Sequence, residues 1–240
     1  MATLYSIHHS PWSERARWAL DHHRIAFEER THVPLVGELA LRWRAGSWGK
    51  VSVPLWVDDD GTATQGSLAI AEHVDAIGKG ATLFPEGARD RIRGLYDDLE
   101  DALRAARARH VKRLGSDREG QFEALPPFLR RMPFATTSAK LGASFIASKY
   151  DARDERVDER MRAGLQLVRE ALAGRAWVLG SFSFADVLGA SVVQTITPVS
   201  DEYLALPAAT RRLWTHEELG DDFRDLVAWR DALYAKHRRA

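Results

Sequence analysis

The stretch Ser10–Leu20, SPWSERARWAL, follows a short strand-like run, Thr3–Ile7, and predicts the start of a helix. Ser10 is a favourable N-cap, and Pro11 at the first helical position loses only an amide hydrogen that had no partner. Apolar residues recur every three or four positions, so one face is expected to pack inward: Trp12, Ala16, Ala19 and Leu20. The intervening polar residues are expected to meet water: Glu14, Arg17 and Asp21.

Ser10 therefore sits where a strand gives way to the N-terminus of a helix with one buried face. The free amides and the positive end of the helix dipole favour an anion at such a place. A serine hydroxyl there can donate a hydrogen bond to a thiolate, and helix N-termini lower the pKa of a thiol. The same pattern fits a serine that only caps the helix.

Composition limits the classes of function. The chain has 240 residues, of which 45% are hydrophobic, which is enough for a real core in one large domain or two ordinary ones. Lys plus Arg equals Asp plus Glu at 34 each, so bulk charge favours neither nucleic acid nor membrane as a partner. Without cysteine the protein has no thiol nucleophile of its own, and without an apolar leader or span we expect a cytoplasmic protein.

The first eighty residues alternate between strand-like and helix-like segments, and predict the order β-α-β-α-β-β-α. After the opening strand and helix, the predicted segments are 25–31 (strand), 35–43 (helix), 51–57 and 62–64 (a hairpin) and a helix capped by Ser67. Pro54 interrupts an otherwise good strand, which marks an edge, a bulge or a cis peptide bond. A cis bond would offer the backbone of Val53 to a peptide ligand.

The stretch 78–87, GKGATLFPEG, is the clearest break in the chain, and nearly everything beyond it reads as helix. We therefore predict an N-terminal domain over 1–78, a linker over 79–88 and an all-helical domain over 89–240. Helices are expected over 89–114, 128–150, 157–172 and 222–239. Ser183 and Asp186 form a capping box, so this aspartate is expected to be structural rather than catalytic.

Five weak signals in a fixed order resemble the cytosolic glutathione transferase family over almost the whole chain. They are Ser-Pro-Trp-Ser at the first helix, Val53-Pro54 before a strand, Gly66-Ser67-Leu68-Ala69-Ile70, Leu83-Phe84-Pro85 and Ser-Phe-Ala-Asp at 183–186. The resemblance implies a thioredoxin-like N-terminal domain, an all-helical C-terminal domain and a homodimer with one glutathione site per subunit. It implies glutathione as the co-substrate, an apolar electrophile as the second substrate and a role in detoxification, with no metal.

The resemblance also implies roles for particular residues. Ser10 matches the catalytic residue of the serine-type and cysteine-type classes, and because serine stands here, the chain resembles the serine-type, bacterial-like members. Val53, before Pro54, would pair through its backbone with the cysteinyl part of glutathione, and Ser67 would hold the γ-glutamyl carboxylate. The rest of the implied glutathione site consists of Trp12, Lys50, Pro54 and Gly66.

One departure concerns the residue before Ser67. The family usually has Glu or Gln there, whereas this chain has Gly66, with Gln65 one position earlier. In an extended chain, a shift of one residue points the side chain to the opposite face, so contact with the γ-glutamyl amine is in question.

Several readings of function stay open. The chain is predicted to be a transferase that conjugates glutathione to an apolar electrophile, and the alternatives are a glutathione-dependent isomerase or dehalogenase and a binding protein without catalysis. His8 and His9 beside Ser10 suggest a hydrolase only weakly, because no nucleophile elbow is present. An apolar pocket for the electrophile could draw on six aromatic residues: Trp12, Trp48, Phe128, Phe134, Tyr203 and Trp214.

Overall fold

A computed structural model describes residues 1–34, 37–125, 130 and 156–239 of the protein. The predicted order of the first seven elements is confirmed. They are β1 (Thr3–Ser6), α1 (Pro11–His22), β2 (Glu28–Thr31), α2 (Glu38–Arg44), β3 (Leu55–Val57), β4 (Ala63–Gln65) and α3 (Ser67–Ile77).

The described residues beyond α3 form helices and connecting segments. The helices are α4 (Arg89–Ser116), α5 (Arg118–Glu123), α6 (Val157–Leu172), α7 (Phe184–Val193), α8 (Ala208–Trp214), α9 (Glu217–Asp222) and α10 (Arg224–His237). The long helices α4, α6 and α10 lie close to their predicted bounds, whereas the short helices α5, α8 and α9 carry too few turns to show a periodic pattern. The helix predicted over 128–150 lies outside the described residues.

The four strands form one mixed sheet in the order β2-β1-β3-β4. β1 is parallel to β2 and antiparallel to β3, and β3 is antiparallel to β4. The register places Tyr5 opposite Leu55, and Leu55 opposite Gln65. This mixed sheet with flanking helices is the thioredoxin-like arrangement that the sequence predicts, followed by a helical remainder.

The predicted strand over 51–57 is shorter than expected. Only Leu55–Val57 pairs as β3, because the Val53–Pro54 peptide bond is cis and the chain joins the sheet after it. Helices α1 and α3 pack against each other, and each buries most of the apolar positions that its spacing predicts. Ile70, Ala71 and Val74 of α3 are fully buried, as is Leu20 of α1.

The chain divides into two compact units. One consists of 1–97, 172–191 and 232–240, and the other of 98–171 and 192–231. The unit that contains the sheet thus includes the last residues of the chain. The domain borders expected from composition, at 78 and 89, remain a prediction.

The expectation that Glu14 and Arg17 meet water is wrong. Glu14 is 2% exposed and Arg17 is 4% exposed, so both are buried, whereas Trp12 on the supposed inner face is only half-buried. The reason is that these charges pair with one another and with distant residues. Buried charges persist in proteins when they are paired and hydrogen-bonded.

None of the helices in the described ranges is both long and apolar enough to cross a membrane.

Candidate functional site

Three segments that the sequence singles out meet at one edge of the sheet. β1 ends at this edge and leads through Ser10 into α1, while β3 begins here directly after Val53–Pro54. β4 ends here as well, because Gln65 pairs with Leu55, and the chain then enters α3 at Ser67. The N-termini of α1 and α3 are therefore both at this edge. Two helix N-termini close together make the place favourable for anionic groups.

Ser10 is the N-cap of α1, as predicted. Its backbone is extended, with φ −76° and ψ 125°, and its N–H donates to the carbonyl of Ile7 at 3.0 Å. The Oγ atom accepts from the N–H of Ser13 at 3.5 Å, which is longer than a good hydrogen bond. The residue is half-buried, and the described part of the chain offers no acceptor for its hydroxyl hydrogen. The cap is therefore only weakly satisfied from within and can donate to a ligand.

Ser67 is the first residue of α3, and the N-cap is Gly66, so the prediction that Ser67 caps this helix is wrong by one position. The residue is 1% exposed, and its Oγ finds no hydrogen-bond partner among the described residues. Leaving a buried polar group unpaired costs about 1–3 kcal/mol, so such groups call for an explanation. A hydroxyl of this kind at a helix N-terminus suits a carboxylate ligand that completes its hydrogen bonding.

Gly66 supplies the turn that brings β4 into α3. Its φ is +93°, a conformation that residues with a Cβ rarely adopt, and its N–H donates to the carbonyl of Pro54 at 3.0 Å. This bond ties the start of α3 to the Val53–Pro54 segment. The departure from Glu or Gln at this position thus has a backbone reason in this chain.

Val53 leaves its backbone open, as the resemblance requires. Its N–H and carbonyl make no hydrogen bond within the described ranges, although Pro54 next to it is buried and bonded to Gly66. Such unpaired groups at a strand end can pair with an extended peptide. Val53, Pro54, Gly66 and Ser67 are therefore brought together with Ser10 by the sheet topology.

The other predicted site residues are placed less decisively. Trp12 lies in the first turn of α1 and is half-buried, beside Ser10 in sequence. Lys50 lies exposed in the segment before Val53, and the pairing of the strands does not fix its position at the edge. Gln65 is exposed, and its side-chain amide donates to the Oγ of Ser52 at 3.2 Å.

A group of charged side chains, most of them buried, is hydrogen-bonded to the turn before Ser10, and the sequence analysis did not predict it. Arg17 donates to Glu14 at 2.9 Å, to Glu29 at 2.7 Å and to the carbonyl of Ile7 at 3.3 Å. Arg238, near the end of the chain, donates to Glu14 at 2.9 Å and also pairs with Asp21.

The paired arginines determine the direction in which the pKa of Glu14 is shifted. Burial by itself raises the pKa of Glu14, but Arg238 and Arg17 outweigh burial, and the resulting pKa lies below its usual value. Burial, together with the neighbouring His8 and Arg17, lowers the pKa of His9 to about 4. At neutral pH, His9 is therefore uncharged, and it is a weak base for any reaction at Ser10.

Asp186 is structural, as its spacing predicts. One of its oxygens accepts from the N–H and the Oγ of Ser183 at 2.9 Å each, and the other accepts from the N–H of Val178 at 2.9 Å. Burial nevertheless raises the pKa of Asp186, because these hydrogen bonds offset only part of the desolvation. Within the described ranges, no group of three His, Cys, Asp or Glu residues is arranged to hold a metal ion.

Two of the aromatic residues proposed for an apolar pocket differ in exposure. Trp48 is 74% exposed, and Trp214 is buried with its ring stacked on His110 at 4.5 Å between ring centroids. Phe128 and Phe134 lie outside the described residues. The pocket for a second substrate remains a prediction.

Residues 9–77 match the sequence model of the glutathione S-transferase N-terminal domain. This range contains α1, the Val53–Pro54 segment and α3, which are the three segments that meet at the sheet edge. No curated protein matches the chain at a significant level.

Solved structures share the fold over nearly the full length. Glutathione transferase GSTFuA2 from Phanerochaete chrysosporium is 17% identical with a TM-score of 0.64, covering 100% of this chain and 98% of its own. A glutathione S-transferase from Ceriporiopsis subvermispora, solved in complex with glutathione, is 16% identical with a TM-score of 0.58, covering 98% of this chain and 94% of its own. A third, from Methylobacillus flagellatus with glutathione bound, is 18% identical with a TM-score of 0.54, covering 98% and 95%. Residues 9–77 therefore match a glutathione S-transferase N-terminal domain, and the chain shares its fold with solved glutathione transferases.

Proposed function

We propose that the protein is a glutathione transferase that activates the glutathione thiol at the sheet edge formed by Ser10, Val53 and Ser67. The observation that carries the proposal is the incomplete hydrogen bonding of these residues. Among the residues that the structure describes, the buried Ser67 hydroxyl and the Val53 backbone have no hydrogen-bond partner, and the Ser10 hydroxyl has one long bond. A tripeptide with an anionic end and a central thiol satisfies all three.

Each residue then has a defined task. The backbone of Val53 pairs with the cysteinyl residue of glutathione, and the Ser67 hydroxyl with the α3 amides binds the γ-glutamyl carboxylate. Pro54 and Gly66 shape the segment between them through the bond from the Gly66 N–H to the Pro54 carbonyl. Trp12 and Lys50 line the same ligand from the first turn of α1 and from the loop before Val53.

Ser10 acts on the sulfur. Its hydroxyl donates a hydrogen bond to the thiolate, and the N-terminus of α1 adds the positive end of a helix dipole, so the thiol ionises at a lower pH. The thiolate then attacks an electrophilic carbon of an apolar substrate; a carbon–sulfur bond forms and the leaving group departs with its electron pair. No protein base is needed once the thiol has ionised.

The proposal includes the properties that the family resemblance implies for the whole protein. These are an apolar small-molecule electrophile as second substrate, a role in detoxification, a homodimer and a cytoplasmic location. Similar structures with glutathione bound support the choice of thiol, since glutathione is present in the complexes from Ceriporiopsis subvermispora and Methylobacillus flagellatus.

The second candidate function is a ligand-binding protein that keeps the fold without the chemistry. Gly66 favours it, because a residue without a side chain offers no acceptor for the γ-glutamyl amine. Such a protein would be retained on immobilised glutathione but would not turn over chlorodinitrobenzene. A glutathione-dependent isomerase or dehalogenase would be retained and would act only on its own substrate, which a substrate screen identifies.

The test compares the wild type with Ser10→Ala in affinity for glutathione and in turnover of chlorodinitrobenzene. We expect kcat to fall by about 100-fold, the effect of removing one donor from a developing anion, with affinity for glutathione nearly unchanged. Ser116→Ala is the control, since its hydroxyl donates to the carbonyl of Arg113 at 3.1 Å at the end of α4, in the other compact unit. Equal turnover in the wild type and Ser10→Ala would contradict the proposal.

A further inference from the structure

The end of the chain connects to Ser10 through an unbroken series of hydrogen bonds. Arg238 Nε donates to Glu14 Oε1 at 2.9 Å, and Arg17 Nη1 donates to Glu14 Oε2 at 2.9 Å. Arg17 Nη2 donates to the carbonyl of Ile7 at 3.3 Å, and the same carbonyl accepts from the N–H of Ser10 at 3.0 Å. All of these residues belong to one compact unit.

Because the side chains of this series are buried, each of them keeps its hydrogen-bond partners. The side chains of Glu14, Arg17 and Arg238 are 2%, 5% and 8% exposed, so water cannot replace their partners at little cost. The hydroxyl of Tyr234 also donates to Glu14, at 3.3 Å, from α10, which ends one residue before Arg238. An arginine fork held on both sides is a rigid support, because its donors are fixed in one plane.

Arg17 connects the turn before α1 to two strands. Besides Ile7 and Glu14, its guanidinium donates to Glu29 at 2.7 Å and to the Ser6 hydroxyl at 3.4 Å. It therefore joins the ends of β1 and β2 to the turn that presents Ser10. Glu14 fixes the remaining side of Arg17, and Arg238 in turn fixes Glu14.

We propose that Arg238 is a positioning residue for the thiol site, which acts through Glu14 and Arg17 to fix the Ile7–Ser10 turn. The role rests on the proposed function for its catalytic consequence, but the positioning itself does not depend on glutathione. The C-terminal segment is thereby part of the machinery that sets the direction of the Ser10 hydroxyl. Loss of Arg238 frees Glu14 to move, loosens Arg17 and widens the range of positions of Ser10.

The test uses the full chain with Arg238→Met and the matched control Arg169→Met. Arg169 forms an ion pair of the same length with Asp225, Nε to Oδ2 at 2.9 Å, but this pair is exposed and lies in the other compact unit. The first measurement is amide hydrogen exchange at Ser10, whose N–H is protected by the Ile7 carbonyl. We expect exchange at Ser10 to rise by about tenfold in Arg238→Met and to stay at the wild-type rate in Arg169→Met.

The second measurement separates positioning from plain destabilisation. We expect Arg238→Met to lower kcat for chlorodinitrobenzene about threefold to tenfold while leaving the KM for glutathione unchanged, because only the direction of the Ser10 hydroxyl is disturbed. Arg238→Lys keeps the charge but not the planar fork, and is expected to fall between the wild type and Arg238→Met in both measurements. It also replaces Arg238→Met if that variant does not fold.

Each outcome decides a separate question. Unchanged exchange at Ser10 in Arg238→Met, or equal increases in both variants, overturns the positioning role. Raised exchange confined to Arg238→Met supports that role even if the wild type binds no glutathione, a result that would refute only the proposed function. Raised exchange with an unchanged kcat in an active enzyme would overturn the catalytic part of the inference.

Discussion

Three serine-containing helix starts in the same compact unit differ in how their polar groups are hydrogen-bonded. At α7, Ser183 and Asp186 saturate each other: the carboxylate accepts three hydrogen bonds of 2.9 Å, and both residues are fully buried. At the start of α1, the hydroxyl of Ser10 has one long bond within the described residues, and at the start of α3, the hydroxyl of Ser67, one residue after the N-cap Gly66, has none there. We call the first the closed cap and the other two the open caps. A closed cap stabilises the fold, whereas an open cap has capacity left for a ligand.

The largest effect is expected from breaking the closed cap with Asp186→Ala. The substitution leaves the N–H of Val178 and both donors of Ser183 buried without an acceptor, so we expect a loss of about 3 kcal/mol in the free energy of unfolding. Urea denaturation followed by tryptophan fluorescence measures it. Affinity for glutathione in the folded protein is expected to stay the same, and a large loss of affinity at constant stability would contradict the assignment of Asp186 as structural.

The second prediction compares the removal of the Ser67 hydroxyl, at an open cap, with the removal of the Ser183 hydroxyl, at the closed cap. Ser67→Ala is expected to weaken glutathione binding about tenfold or more, because a hydrogen bond to a charged group is lost. It is not expected to lower stability, because the hydroxyl has no partner within the described ranges. Ser183→Ala is the matched variant and is expected to lower stability by about 1 kcal/mol without changing binding. Calorimetric titration measures the affinity of both variants for glutathione, and urea denaturation measures their free energies of unfolding. The distinction between open and closed caps is lost if the two variants behave alike.

A smaller effect tests the backbone that supports the open cap of α3. Gly66→Ala places a Cβ in open space but at a φ of +93°, so we expect it to cost about 1–2 kcal/mol. Gly94→Ala is the control, since Gly94 lies exposed inside α4 with no atom near its added Cβ, and alanine there is expected to stabilise by up to about 1 kcal/mol. In thermal denaturation, the melting temperature is expected to fall for Gly66→Ala and to rise for Gly94→Ala. Equal shifts would show that the turn does not require glycine.

The smallest effect concerns pH at the closed cap. Because burial raises the pKa of Asp186, the folded state holds the proton more tightly than the unfolded state does. The contribution of this group to stability therefore falls as the pH rises from about 4, the usual pKa of an aspartate, through its raised folded value. Asp186→Asn removes this slope, so the stability of the wild type relative to Asp186→Asn is expected to be greater at pH 4 than at pH 7. The reverse order in urea denaturation would contradict the direction of the shift.

Much of the fold and the candidate site could be predicted from the sequence because the signals were local. The cap at Ser10, the interruption at Pro54 and the start of α3 at Ser67 each follow from residues within a few positions of one another. The sheet pairing then brings these places to one edge, as the element order requires. The closed cap could also be predicted, because Ser183 and Asp186 lie three residues apart.

The buried charges behind Ser10 could not be predicted, because their partners are distant in sequence. Glu14 and Arg17 occupy positions that helical periodicity assigns to solvent, and Arg238, which pairs with Glu14, lies 224 residues further along the chain. Basic residues at the end of a helix suit the negative end of its dipole and would be expected at the surface, yet the side chain of Arg238 is only 8% exposed. Periodicity describes what an isolated helix would bury, and a distant counter-charge changes that.

The central claim is that the open cap at Ser10 lowers the pKa of a thiol that the protein does not itself contain. The measurement is a pH titration of the ultraviolet absorbance of the thiolate of bound glutathione, in the wild type and in Ser10→Ala. An ordinary thiol has a pKa of about 8.5, and we expect the wild type to hold the bound thiol at about 7 or below. Ser10→Ala is expected to return the pKa most of the way to the ordinary value. A bound thiol with the same pKa in both proteins, or one that titrates like free glutathione in the wild type, would contradict the account.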